Sequence, residues 1–298
     1  MPSLFDPIQL GDIPAANRIL MSPLTRGRAT DDHVPTDIMV DYYRQRAGAG
    51  LIISEGTGIS RQGLGWPNAP GLWTEAQAAT LDDIRQAQDD YATAATNAIR
   101  AGFDGVQLHG ANGYLIDQFL RDGTNLRDDD YGGSPENRIR FMRESVARVV
   151  DAIGAGRTGI RLSPNGETQG ADDSDPASVF VPAAAALDAL GIAFLELREI
   201  GQNGTFGSTD VPKLSPAIRK VFSGPLILNQ DYSLEAAQAD LDSGLADGIA
   251  FGRKYIANPD LVERFRTGAP LNADDMATWY SKGPEGYTDY PALETEAA

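Results

Sequence analysis

The chain has 298 residues, 42% of them hydrophobic, and 42 Asp and Glu against 25 Lys and Arg, which leaves a net charge of −17; it has no cysteine. The length suits one β/α barrel, which needs about 250 residues, better than a minimal domain. The acidic balance argues against nucleic-acid and anionic-membrane partners, and the lack of cysteine excludes disulfides, iron–sulfur clusters and thiolate chemistry.

An anionic cofactor is still allowed, because local arginines and backbone N–H groups can hold a phosphate on an acidic protein. No run approaches the roughly 18 apolar residues of a membrane span. The opening Met1-Pro-Ser-Leu-Phe-Asp6 lacks the charged and apolar regions of a signal peptide. A soluble, cytoplasmic protein is expected.

Along the chain, short apolar runs alternate with helical patterns, as in βαβ units with a parallel sheet. The strand candidates are 18–24, 51–55, 103–109, 158–162, 193–197, 225–228 and 248–251, with a helix at 36–46 between the first two. Several helical patterns end in glycine in the C′ manner, at Gly102, Gly191 and Gly244. An α/β fold with a parallel sheet follows, and the length suits a single domain of TIM-barrel type over residues 1–298.

Only seven strands can be counted. Between the second and third, residues 74–101 are purely helical in pattern and contain two helix starts: Thr74-Glu-Ala-Gln77, and Thr80-Leu-Asp-Asp83 with Asp in the Glu position. One helix needs one start. Either Thr80 is an interior threonine or the pattern joins two separate helices.

The run 102–120 is the most informative. Its strand ends at His109, and Asn112 and Tyr114 follow in the loop. In a β/α barrel that loop lies on the catalytic face. An imidazole and an amide three residues apart can donate to one oxygen, and a phenol close by can deliver a proton. A lone histidine is more often structural, but this one has chemically suited neighbours. His33, in a polar loop, reads as a surface residue. Asp128, Asp129 and Asp130 cannot all face one ion from an extended loop, so no metal site is expected.

At these residues a resemblance is plain. His109-Gly-Ala-Asn112-Gly-Tyr114-Leu, followed by Asp129-Asp-Tyr-Gly-Gly-Ser-Pro-Glu-Asn-Arg138, resembles the signature of the Old Yellow Enzyme family. So do Asn17-Arg-Ile-Leu-Met-Ser-Pro23-Leu-Thr25-Arg26, Phe251-Gly252-Arg253 and Gly286-Tyr287-Thr-Asp-Tyr-Pro291, which spread the likeness in family order over nearly the whole chain. The nearest style is the bacterial 2-cyclohexen-1-one reductase. A dienoyl-CoA reductase type is disfavoured, since it uses an iron–sulfur cluster.

The resemblance implies an FMN-dependent ene-reductase. NAD(P)H would reduce tightly bound FMN, and the reduced flavin would reduce the C=C bond of an α,β-unsaturated carbonyl compound. His109 and Asn112 would hold the carbonyl oxygen, Tyr114 would protonate the α-carbon, and Tyr287 would help close the substrate pocket. For the flavin, Thr25 would bond O4, Pro23, Leu24 and Gly56 would line the ring, and Arg161 would sit by N1 and O2. Asn229, Gln230, Gly252 and Arg253 would lie in the phosphate-binding loops. Read singly, Arg161 is equally a buried ion-pair partner and Gly252 a plain turn. The partners implied are a small activated alkene and, at most, a second copy, as monomer or homodimer.

The chain departs from the family between Ala79 and Thr80. There the family has the rest of a helix, a barrel strand ending in a flavin-binding glutamine, and a long loop. Either the chain truly lacks this β/α unit, or residues are missing from the sequence as written. A closed barrel buries all its strands, and removing one opens two unpaired edges, so an intact ene-reductase favours the second. A true loss leaves open a non-catalytic or flavin-free relative with a binding role.

Overall fold

The computed structural model describes residues 1–60, 66–70, 81–166, 168–201, 204, 205 and 207–293. Among these residues eight short strands are formed: β1 (Ile8–Leu10), β2 (Ile13–Ala15), β3 (Ile19–Met21), β4 (Val106–Gly110), β5 (Thr158–Leu162), β6 (Phe194–Arg198), β7 (Leu226–Asn229) and β8 (Gly248–Phe251). The last six make one sheet in the order β3-β8-β7-β6-β5-β4, parallel throughout. Strands β5 to β8 are buried along their whole length. That is why they read as continuous apolar runs and not as alternating ones.

The helices are α1 (Asp37–Gln45), α2 (Leu81–Arg100), α3 (Leu115–Leu120), α4 (Pro135–Ile153), α5 (Pro176–Ala189), α6 (Ser215–Ile218), α7 (Leu234–Asp242), α8 (Arg253–Ala257) and α9 (Leu261–Thr267). Helix α4 shows why such segments form. Ser134 Oγ accepts from Asn137 N at 3.4 Å, Pro135 opens the first turn and Glu136 faces the positive end of the dipole. Its buried residues Ile139, Met142, Val146 and Val149 repeat at helical spacing toward the core. The glycines expected past helix ends, Gly191 and Gly244, take left-handed φ of 64° and 73°.

A hairpin that the apolar pattern did not single out, β1–β2, plugs the barrel end away from the strand C-termini. Leu10, Ile13 and Ala15 pack there against Leu20, Phe194, Ile227 and Ala250. Asp12 N donates to Gly156 O at 2.7 Å, just before β5. Gly11, at φ 57°, makes the turn; a Cβ on it would lie 2.4 Å from Gly156 O.

The expected second strand, 51–55, joins the sheet more loosely than the others. One parallel bridge, Met21 to Ile52, links it to β3, with Met21 N donating to Leu51 O at 2.8 Å and Ile53 N to Met21 O at 3.0 Å. Among the described residues neither its other edge nor the outer edge of β4 has a ladder partner. One cavity is lined by 51–55, by β4 and by the other sheet strands, so the described part of the sheet curls around it as a barrel with an opening at that place. Helix α2 is described from Leu81 onward. The Thr74 start, the Thr80 start and the Ala79–Thr80 junction lie outside the described residues.

Candidate active site

The cavity, of about 2500 Å³, spreads over the C-terminal ends of the strands and runs into the opening between 51–55 and β4, where Ile84, Ala87 and Tyr91 of α2 line it. This exceeds the 300–1,000 Å³ or so of an ordinary ligand cleft, so the opening adds to the site itself.

The β4 loop carries the expected chemistry. His109 is the penultimate residue of β4, in register with Arg161 on β5, which pairs in turn with Glu196 on β6. After the strand, Asn112 and Gly113 both adopt left-handed φ, 60° and 76°, and turn the chain into α3. A Cβ at Gly113 would lie 2.4 Å from Thr168 O, so the turn needs glycine there. Beneath it, the buried carboxylate of Asp117 accepts from Gly113 N at 2.8 Å and from Ser163 Oγ at 3.2 Å, and pairs with Arg121 at 2.8 Å. Ser163 Oγ accepts in turn from Asn112 N at 2.8 Å. The loop is held from below, and its side chains line the cavity.

The rings of His109 and Tyr114 lie 5.3 Å apart, tilted by 56°. Burial first, then the guanidinium groups of Arg161 and Arg198, pull the His109 pKa down to about 3, so its imidazole is neutral over the physiological range. Asn112 Oδ1 accepts from Arg198 Nη1 at 3.0 Å. Tyr114 Oη accepts from Trp66 Nε1 at 2.9 Å, and Trp66 stacks on Tyr280, 4.9 Å between centroids.

The residues expected around the flavin converge on the same cavity: Pro23, Leu24 and Thr25 after β3, Gly56 after 51–55, and Arg161, Asn229, Gln230, Gly252 and Arg253 at the ends of β5, β7 and β8. Glu55 fixes the floor. Its carboxylate accepts from Arg26 N at 3.1 Å and Gly27 N at 3.0 Å, tying 51–55 to the loop after β3. Arg161 is indeed an ion-pair partner, 3.0 Å from Glu196, and also donates to Asn229 Oδ1 at 2.6 Å. Asn229 Nδ2 donates to Ser22 Oγ and Ala250 O, so its amide clamps strands together beneath the cavity. Arg253 pairs with Asp274 at 3.0 Å. The lining has the chemistry FMN would need: apolar Pro23 and Leu24 for a ring, and the cations Arg161, Arg253 and Lys254 for its polar edge and phosphate.

Tyr287 is placed elsewhere. It is fully buried, stacked on Tyr42 at 4.0 Å and covered by Arg28 at 4.4 Å, and it does not line the cavity. The tail tyrosine that does is Tyr280. His33 is only partly exposed, its Nδ1 2.8 Å from Ala69 O. Asp129 is used within its loop, pairing with Arg127 and accepting from Tyr131 N at 3.0 Å. The sequence reading passed over Trp66, Arg198 and Tyr280. Of these only Arg198 had a signal, as a cation closing a strand in the manner of His109.

Comparison with known proteins accounts for this arrangement. The model of the NADH:flavin oxidoreductase / NADH oxidase family matches residues 3–84 and 76–272. A probable flavin mononucleotide-dependent alkene reductase of Leishmania infantum is 36% identical, with 97% of each protein covered. The Old Yellow Enzyme homologue of Zymomonas mobilis is 52% identical and superposes with a TM-score of 0.96, covering 98% of this chain and 100% of the other. Morphinone reductase is 38% identical at a TM-score of 0.93, covering 98% and 96%. The alignment with the Leishmania protein runs over 366 positions, more than this chain's 298 residues, so part of that relative has no counterpart here. The family match divides within 76–84, around the junction where a β/α unit is expected to be absent. With its parallel barrel, its site at the strand ends and these matches along its length, the chain belongs to the Old Yellow Enzyme family of FMN-dependent, NAD(P)H-oxidising alkene reductases.

Proposed function

We propose that the protein reduces the C=C bond of α,β-unsaturated carbonyl compounds, with His109 and Asn112 binding the carbonyl oxygen and Tyr114 giving the proton. The observation that carries this is the end of β4 and its loop, which present His109, Asn112 and Tyr114 to one cavity, with Asn112 Oδ1 and Tyr114 Oη each bonded within the protein. Thr25, Pro23, Leu24, Gly56, Arg161, Asn229, Gln230, Gly252 and Arg253 would hold FMN, which, once reduced by NAD(P)H, would supply the hydride for the alkene.

Each residue has a definable task. A neutral His109 has an N–H to donate and adds no charge of its own, and Asn112, its Oδ1 occupied, has only its Nδ2 hydrogens to offer. Two donors at one oxygen withdraw electrons from the alkene and stabilise the enolate that develops. The indole N–H of Trp66 occupies an acceptor position on the Tyr114 oxygen and stabilises the phenolate left after proton transfer. The same bond leaves the Tyr114 hydroxyl hydrogen free to turn toward the α-carbon.

The test is the purified protein: a yellow FMN complex that consumes 2-cyclohexen-1-one with NADH or NADPH is expected. The opening beside 51–55 and β4 favours a second reading, a flavin-free relative, because it belongs to the same cavity that would hold the flavin. A colourless protein that takes up no added FMN decides for that reading.

A further inference from the structure

Arg198 closes β6 and is 8% exposed, with its guanidinium at the cavity wall. Its Nη1 donates to Asn112 Oδ1 at 3.0 Å and its Nε to Gln230 Oε1 at 3.1 Å. A carboxamide has two unlike ends. Turned over, Asn112 would present its carbonyl oxygen to the substrate's oxygen, and repulsion would replace attraction. The asparagine's own backbone does not settle the matter, since rotation about the terminal torsion is soft and roughly two-fold. A guanidinium does settle it: it has five donors and no acceptor, so only the oxygen end of an amide can face it. The Gln230 amide is fixed by the same logic, and its Nε2 turns to Asp231 at 3.0 Å.

We infer that Arg198 is a positioning residue for the carbonyl site, fixing the Asn112 amide with its nitrogen toward the cavity. The inference rests on the proposed role of Asn112 and assigns Arg198 no contact with substrate. Two further features support it. Burial, then Arg161, draws the Arg198 pKa down to about 10, so it is still a cation at neutral pH and its bond to Asn112 is charge-assisted. Arg198 also stands, with Arg161, among the groups that hold His109 neutral, so one cation acts on both donors of the site.

The experiment titrates the FMN-loaded protein with a para-substituted phenol, read by the long-wavelength charge-transfer band, with bound FMN measured from its own absorbance. Arg198→Met should keep its FMN and bind the phenol about 10–100-fold more weakly, the worth of a hydrogen bond to a charged group. Arg198→Lys, a pure donor, should restore most of the affinity. On an Asn112→Ala background, Arg198→Met should change affinity less than about 3-fold, because no amide remains to be oriented. Should Arg198→Met fail to hold FMN, Arg198→Gln replaces it: its amide can meet either end of Asn112, so affinity should again fall. Unchanged affinity in the variant that holds FMN, no recovery with lysine, or an equal loss on the Asn112→Ala background overturns the inference. Wild-type phenol binding by Asn112→Ala alone would instead overturn the role proposed for Asn112.

Discussion

Tyr114 and the Trp66 indole bound to it form the smallest unit in this protein with a testable chemical task. If Tyr114 gives the proton, Tyr114→Phe should slow alkene reduction about 10²–10⁴-fold and leave flavin reduction by NAD(P)H almost unchanged, since only the first step needs a proton at carbon. Rapid-mixing measurements of the two half-reactions check this, and equal losses in both would make the tyrosine structural. Trp66→Phe keeps the ring but loses the N–H that reaches Tyr114 at 2.9 Å. It should slow the same half-reaction by about 10-fold, the worth of one hydrogen bond. His109 gives a pH prediction. Its folded pKa, about 3, lies below the unfolded value near 6.5. Above about pH 6.5 neither state is protonated there, so the group has no effect on stability. Below that the unfolded chain takes up a proton that the folded protein refuses, and stability falls toward pH 3. Melting curves of wild type and His109→Gln should therefore diverge as pH drops from 7 to 4, with the wild type losing more.

At the scale of elements, the site depends on how segments begin and end. Helix α4 packs behind α3 and the β4 loop, and its start is set by the Ser134 cap. Ser134→Ala should cost about 1 kcal/mol in denaturant unfolding without altering phenol binding, because the cap lies away from the cavity. The Asn112-Gly113 turn behaves differently: Gly113→Ala combines a left-handed φ of 76° with a Cβ 2.4 Å from Thr168 O, so it should disturb both stability and the site. The strands themselves were readable as apolar runs, and five of the seven proposed lie within a few residues of β4 to β8. The first shrinks to Ile19–Met21, since the residues after it leave the ladder to line the cavity. The β1–β2 hairpin has only three residues a side, too short for a periodic signal, and is held by the barrel floor it covers.

At the scale of the molecule, the opening between 51–55 and β4 is the dominant feature among the described residues. Unpaired strand edges beside an apolar cavity weaken a barrel and invite association. Inserting a relative's β/α unit between Ala79 and Thr80 should raise the melting temperature and tighten FMN binding, which stabilises the folded state by mass action. Calorimetry and flavin titration of the chimera check this; a chimera no better than the chain itself would mean that the opening costs nothing. The sequence by itself determined the barrel and brought together the central residues of the candidate site. His109, Asn112 and Tyr114 are neighbours in the chain, and strand ends at Arg161 and Asn229 point the same way in any parallel barrel. Only the tertiary structure decided what lies around them. Trp66 meets Tyr114 across 48 residues and Arg198 meets Asn112 across 86, and no local pattern encodes such a pairing. The choice of Tyr280 over Tyr287 for the cavity was likewise made by packing. Tyr42, Arg26 and Arg28 enclose Tyr287, and a tyrosine with its face so covered has no surface left for a substrate.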